Sequence, residues 1–254
     1  MLALERQKKI VEYVKEKKFA TVAELAVYFH VHEATIRRDL SLLESEGKLR
    51  RTHGGVVIEE DKVKSEPSFQ DRETVQFEEK RRIGMRAAQF IQDGENIILD
   101  SGTTTVHIAE AILDRKNITV ITNDINVAAK LRFSNGIKVI VTGGTLYPES
   151  YMLNGLIADE VLGNLHVDKA FIGTPALHHK FGLTHFDEQI AATKRSMIKA
   201  AKSVYVVTDH TKVGRIALHT VASPNQIDAV IIGSELSEIE IKKWENSGVN
   251  LHLV

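Results

Sequence analysis

The chain has no cysteine among its 254 residues. That absence excludes a disulfide framework and every metal site built on thiolates. It also lacks an apolar run of the length a membrane span requires. The first residues, Met1-Leu2-Ala3-Leu4-Glu5-Arg6, turn charged too quickly for a secretory signal, so the expected location is the cytoplasm, with no membrane partner. An overall excess of one charge sign is missing too: 33 Lys and Arg stand against 34 Asp and Glu, a formal net of -1. What remains, 43% hydrophobic and 26% charged residues, is the composition of an ordinary globular protein.

The near-neutral total conceals an asymmetry. Residues 1–57 hold 11 Lys and Arg against 8 Asp and Glu, and the remainder is net acidic. The first segment therefore suits a phosphate-bearing partner better than the second. Its pattern is helical. Leu4, Ile10, Val11 and Val14 fall on one side of a helix over 4–17, and Thr21 with Glu24 has capping-box spacing before a short second helix. His30-Val31-His32 reads as a turn, and a third helix runs from Glu33 to Ser45 with Ile36, Leu40 and Leu43 buried and Gly47 capping its end.

In such a helix-turn-helix the third helix enters the major groove of double-stranded DNA. His32, Glu33, Thr35, Arg37 and Arg38 lie on or near its leading half. Thr35 and Arg38 are candidates for base or phosphate contacts, and Arg37 for phosphate, while Asp39 is expected to orient a neighbouring arginine. Arg50, Arg51 and His53, with Gly54-Gly55 as a reversal before Val56-Val57-Ile58, form a small basic wing. The competing reading is a protein-binding helical hairpin whose arginines are merely solvated.

Residues 1–57 thus read as a winged helix-turn-helix domain, 58–74 as a charged linker interrupted by Pro67, and 75–254 as a second domain. In the second domain a helix is expected over 79–90. Short β-branched runs at 96–99, 118–121, 138–141, 169–172, 203–207, 229–232 and 250–253 then alternate with helical stretches. That alternation predicts an α/β fold, an open, largely parallel, Rossmann-like sheet.

Ligands in such sheets bind beyond the carboxyl ends of the strands. The polar loops fall there: Asp100-Ser101-Gly102-Thr103-Thr104, Thr122-Asn123, Gly143-Gly144, and Asp209 followed by Lys212. Hydroxyls and free amides at a helix start favour phosphate or carboxylate, and Lys194 and Lys212 are candidates to add positive charge. The dinucleotide fingerprint and the Walker lysine are both absent, and His178, His179, His185 and His210 lack metal-ligand spacing. Neither a cofactor, nor a metal, nor a catalytic residue is expected.

Glu33-Ala34-Thr35-Ile36-Arg37-Arg38-Asp39-Leu40, His53-Gly54-Gly55, Asp100-Ser101-Gly102-Thr103-Thr104, Thr122-Asn123, Gly143-Gly144, Phe171-Ile172-Gly173, Gly182-Leu183-Thr184 and Asp209-His210-Thr211-Lys212 together resemble the DeoR family of bacterial transcriptional regulators over nearly the whole length. The resemblance implies a repressor of a carbohydrate-catabolism operon, with a sensor domain similar to ribose-5-phosphate isomerase. It implies release from operator DNA by a phosphorylated sugar held at the loops named above and at Gly173. It also implies a homo-oligomer, dimer or tetramer, assembled by the sensor domain. Two departures stand out. His32 replaces the usual serine before the recognition helix, and Gly173-Thr174-Pro175-Ala176 lacks the acidic residue usual after Phe-Ile-Gly, which argues against isomerase activity. The alternatives are an isomerase-like enzyme with an accessory DNA-binding head and a constitutive architectural DNA binder.

Overall fold

In the computed structural model the Thr21 and Glu24 side chains close a full capping box. Glu24 N donates to Thr21 Oγ1 at 3.1 Å, and Thr21 N donates to Glu24 Oε2 at 2.7 Å. The structure describes residues 3–17, 19–45, 49–52, 55–57, 62–63 and 67–254. The chain divides into two units, Met1–Lys62 and Val63–Val254.

The first unit runs α1 (Ala3–Lys17), β1 (Phe19–Thr21), α2 (Val22–Phe29), α3 (Glu33–Ser45), β2 (Arg50–Thr52) and β3 (Gly55–Val57). His30, in the left-handed region at φ 53°, ends α2 and turns the chain towards α3. Ile10, Val14, Leu25, Phe29, Ile36, Leu40, Leu43, Leu49 and Val56 form its core. Leu4, expected on the apolar stripe of α1, is instead 70% exposed, because the buried stripe runs through Arg6, Ile10 and Val14 at four-residue spacing and Leu4 falls off that face. The wing gains a strand not expected from sequence. β1 pairs antiparallel with β3, in the order β1-β3-β2. A Cβ on Gly55 would lie 2.5 Å from Ala20 O and 2.6 Å from the Phe19 ring, so only glycine allows that pairing. Gly47, His53, Gly54 and Ile58 lie outside the described residues.

The second unit begins with β4 (Lys62–Val63), which spans the boundary, α4 (Phe69–Thr74) and α5 (Phe77–Ala88). The last third of the stretch read as linker is therefore a short helix of this unit, with Phe69 buried. β5 (Asn96–Leu99), α6 (Thr103–Ala111), β6 (Ile118–Thr122), α7 (Ile125–Leu131) and β7 (Ile137–Val141) follow. After these come a hairpin of β8 (Thr145–Tyr147) and β9 (Met152–Asn154), then α8 (Leu156–Gly163) and β10 (Val167–Ile172). The chain continues through β11 (Ala176–His178), β12 (Gly182–His185), α9 (Glu188–Ala200), β13 (Ala201–Val207), β14 (Ile216–Ala217) and β15 (His219–Ala222). It ends with β16 (Ala229–Ile232), α10 (Glu238–Glu245) and β17 (Asn250–Leu253). The β8–β9 hairpin, α8, α10 and the small β11-β12-β15 sheet were not expected from sequence.

Seven strands make one parallel sheet in the order β17-β16-β13-β10-β5-β6-β7. Alternate side chains serve opposite faces, as the two-residue period requires. Ile98, Ile172, Val206 and Ile232 pack with α8, α9 and α10 around Trp244, whereas Ile97, Leu99, Phe171 and Ile231 pack with α5, α6 and α7. The chain builds outward from β5 through β6 to β7, then returns to place β10 on the other side of β5. The order reverses between β5 and β10, which opens a crevice at their carboxyl ends. Among the described residues, no helix is long and apolar enough to cross a membrane.

Asp39 pairs with a residue far away in sequence rather than with its neighbours Arg37 and Arg38. Arg6 Nε donates to its Oδ2 at 2.6 Å and Gln7 Nε2 to its Oδ1 at 2.9 Å, tying α1 to α3 inside the first unit. Both charged groups are buried. Asp39→Ala leaves the arginine uncompensated, and we expect a loss of about 3–5 kcal/mol. The check is amide exchange in α1 and α3. It should accelerate accordingly, while the unfolding midpoint seen by Trp244 fluorescence, which belongs to the other unit, stays in place.

Candidate functional site

The crevice is an open cleft of about 520 Å³, solvent at its mouth included, and it lies wholly within the second unit. Its floor is set by a buried lysine. Lys194, on α9 and 5% exposed, pairs with Asp100 at the end of β5 and also donates to Gly173 O at 2.9 Å. Asp100, 1% exposed, accepts in addition from Gly173 N at 3.0 Å. Lys194, a candidate from sequence to add positive charge, is thus largely spent on Asp100 and Gly173. Two of its three N–H groups are committed, and one is left for the cleft that it lines.

Above this lock the chain turns through Ser101 and Gly102 into α6. Ser101 Oγ donates to Asp124 Oδ2 at 2.6 Å, and Asp124 caps α7 by accepting from Asn126 N at 2.6 Å and Val127 N at 3.1 Å. Burial raises the Asp124 carboxyl above its ordinary pKa, and the Ser101 hydrogen bond opposes that rise. Thr105 Oγ1 is turned back to Gly102 O at 2.8 Å. The start of α6 has no side-chain cap, so the first amides of the helix face the cleft at its positive dipole end. A Cβ on Gly102 would meet nothing nearer than Thr105 Oγ1 at 3.6 Å, so the room that glycine leaves is cleft space.

Of the residues singled out from sequence, Ser101, Gly102, Thr103, Thr104, Gly173, Lys194, Asp209 and Lys212 line this cleft, and Asp100 stands directly behind Lys194. The structure does not bring the other four there. Thr122 accepts from Asp124 N at 3.1 Å, and Asn123 donates to Asn154 at 3.2 Å beneath the β8–β9 hairpin. Gly143 and Gly144 take φ of 71° and 111° in the turn from β7 to β8. A Cβ on Gly144 would lie 2.6 Å from Asn154 O, so these glycines serve the hairpin.

The lining also includes Arg72, Lys80 and Met152, which sequence reading left out, and His185, which it weighed only as a metal ligand. Lys80 had a readable signal: it sits three, four and seven residues before Ile83, Gly84 and Ala87, on the buried stripe of α5. It is 3% exposed, and its Nζ donates to Arg72 O at 2.5 Å. Burial lowers its pKa, Lys212 and Arg72 push the same way, and Asp209 opposes them. His185 accepts from Asp187 N at 3.0 Å through Nδ1, which leaves Nε2 as the protonated nitrogen and a neutral donor. Arg72, Lys80, Lys194 and Lys212 outnumber Asp100 and Asp209, so the cleft suits an anion. Thr174 turns its hydroxyl onto Ala176 O at 2.9 Å, and the position holds no carboxylate to act as a general base.

Beside the cleft, Glu79, His210 and Glu235 place their ligand atoms within 4.8 Å of one another. Glu79 already holds His210 through its N–H at 2.7 Å and its ring at 2.8 Å, and Glu235 holds Arg82 at 2.5 Å. The group is a hydrogen-bonded network that holds the loop carrying Asp209 and Lys212.

In the first unit, His32 just before α3 and Glu33, Arg37 and Arg38 on it are exposed, and Thr35 is half-exposed. Arg37 pairs with Glu33 at 2.7 Å one turn away. Arg50 and Arg51 lie on β2, their side chains outside the described residues, as is His53 altogether.

Residues 6–62 match the DeoR-like helix-turn-helix domain, and residues 75–234 match the DeoR C terminal sensor domain. The chain is 36% identical over 254 residues to the HTH-type transcriptional regulator YulB of Bacillus subtilis, covering 100% of this chain and 98% of that one. It is 32% identical over 230 residues to the glycerol-3-phosphate regulon repressor of Escherichia coli, covering 91% and 90%. Among solved structures, ribose 5-phosphate isomerase A of Neisseria gonorrhoeae matches 56% of each chain at a TM-score of 0.40 and 16% identity.

Burial and the nearby Lys194 charge draw the His185 pKa down from 6.5 to about 3. The unfolded chain then binds a proton that the folded chain refuses. This contribution to stability is complete above about pH 6.5 and is lost as pH falls, at roughly 1.4 kcal/mol per pH unit, until about pH 3. Denaturant unfolding followed through Trp244 should show that slope in the wild type and a shallower one in His185→Asn.

Proposed function

This chain belongs to the DeoR family of transcriptional regulators, and on that premise we propose that it represses a carbohydrate-catabolism operon and leaves the DNA when a phosphorylated sugar enters the cleft. The observation that carries the reading is the uncapped start of α6 facing a cleft with an excess of cations. A phosphate monoester would accept from the amides of Thr103 and Thr104 and sit among Lys80, Lys212 and the spare N–H of Lys194. The sugar hydroxyls would meet Asp209, Gly173 and the neutral Nε2–H of His185. With no carboxylate at Thr174 or Pro175, the bound sugar is sensed rather than isomerised. The cytoplasm is where such a metabolite and the operator DNA both occur.

On the DNA side, α3 offers Thr35 and Arg38 to base edges and Arg37 to phosphate, with Arg50 and Arg51 of the wing on the backbone. A single head of this size binds weakly. A homo-oligomer places a second head on a second half-site and makes its binding effectively intramolecular. Release then requires the effector to favour the arrangement of the assembly that fits the operator less well.

Two measurements test the two halves. A sugar phosphate present at about one hundred times its Kd should stabilise the full chain by roughly 2.7 kcal/mol, and the unphosphorylated sugar should not. A panel of sugar phosphates without any shift in unfolding temperature would sink the effector half. Arg38→Ala should cost about 1–3 kcal/mol in operator affinity and relax sequence preference. Arg37→Ala should instead weaken binding to all sequences and flatten the salt dependence by about one unit of slope.

A further inference from the structure

We propose that Arg72 is an effector-contacting residue, and that through it an anion in the cleft tightens helix α4 onto the sensor unit. Occupancy is thereby carried to the segment of chain that leads to the DNA-binding unit. The inference rests on reading the cleft as an anion site.

The position of α4 is the first observation. It is the first helix of the second unit, starting seven residues after Lys62, where the first unit ends, and it lines the cleft with Arg72. At six residues it is too short to persist alone, so its order depends on what it touches. Phe69 is its one buried side chain among the described residues, resting edge-on against Tyr151 with ring centroids 5.6 Å apart. The remaining anchors are polar. Phe69 N donates to Glu149 O at 2.7 Å, and Gln70 Nε2 donates to Tyr151 Oη at 2.6 Å. At the other end, the buried ammonium of Lys80 holds Arg72 O at 2.5 Å, while Arg72 Nε donates to Pro67 O at 3.0 Å.

The second observation is electrostatic. Arg72, Lys80 and Lys212 line one cleft, and Lys212 and Arg72 both act against the charge on Lys80. Asp209 and Glu79 attract the Lys80 ammonium that anchors the C-terminal end of α4, and Arg72 on α4 itself works against them. A phosphate dianion between Arg72 and Lys80 reverses the sign of that interaction, because each cation then attracts a shared counter-charge. The gain is available only when α4 is seated, since Arg72 reaches the cleft from nowhere else. The β8–β9 hairpin belongs to the same group. Glu149 and Tyr151 at its tip hold α4, and Met152 beside them lines the cleft. Binding and the order of α4 are therefore linked, and linkage runs both ways.

Amide hydrogen exchange on the full-length protein tests this, with inorganic phosphate as the probe against chloride at matched ionic strength. Phosphate should slow exchange at residues 103–105 and, about fivefold or more, at residues 69–74. Arg72→Gln should keep the response at 103–105 and lose it at 69–74, and Arg72→Lys, which keeps the charge, should restore it. Slowing at 103–105 with residues 69–74 unchanged in the wild type overturns the role of Arg72 and leaves the anion site standing. An undiminished response at 69–74 in Arg72→Gln overturns it as well. No response in either segment removes the anion site and this inference together. The wild-type comparison decides the matter even where a substitution loosens α4 by itself.

Discussion

The second unit is organised around one buried ion pair, Lys194 with Asp100. Asp100 ends β5, Gly173 follows β10, and Lys194 comes from α9. The lysine bonds both strand ends at the place where the sheet order reverses, and so ties the two sides of the crevice to each other. A pair buried this deeply gains little net stability, since desolvating two charges costs about as much as their attraction returns. Its value is geometric. It sets where the backbone of residues 101–103 and 173–175 runs, and those two turns form part of the cleft's lining.

Neutralising Lys194 also decides which charges a ligand meets. With Asp100 spent on Lys194, the positive character of the cleft comes from Arg72, Lys80 and Lys212, on three different elements. His185 is buried among them without adding charge, for burial and the lysine field keep it neutral. The site thus combines a cationic rim, a neutral imidazole donor and the uncapped end of α6. Such an arrangement suits an anion by charge and hydrogen-bonding groups by its polar lining, and the turn at Thr174 and Pro175 offers no carboxylate.

The first unit repeats the device on a smaller scale. Arg6 and Asp39 join α1 to α3 through a buried pair, so the outward face of α3 is fixed against the core by both Ile36–Leu40–Leu43 and a directional bond. Rigid presentation matters for a reading helix, because base-edge contacts are lost with small displacements. Gly55 plays the corresponding part in the wing, where β3 comes close enough to β1 to make a third strand.

How much of this was legible depended on the range of the interaction. Periodicity and capping are local, so α3, α7, β5, β16 and β17 stand within a residue or so of where sequence alone put them, and the loop 100–104 was recognisable as a helix start rich in hydroxyls and amides. Which partner each charged group takes is not local. Asp39 went to Arg6 rather than to an adjacent arginine, and Lys194 went to Asp100 rather than to solvent, because burial selects whichever opposite charge the fold delivers. Thr122, Asn123, Gly143 and Gly144 shared the chemistry of the other loops, yet β6 and β7 lie beyond the switch point, where Asn123 bonds the β8–β9 hairpin and the two glycines form the turn into it. Arg72 and Lys80 sat in segments that read as linker and plain amphipathic helix. The sequence by itself determined the two-part organisation, the reading helix and the anion-favouring turn, since each is written in contiguous residues. The tertiary structure alone decided which cations surround that turn, because strand order, not spacing along the chain, brings them together.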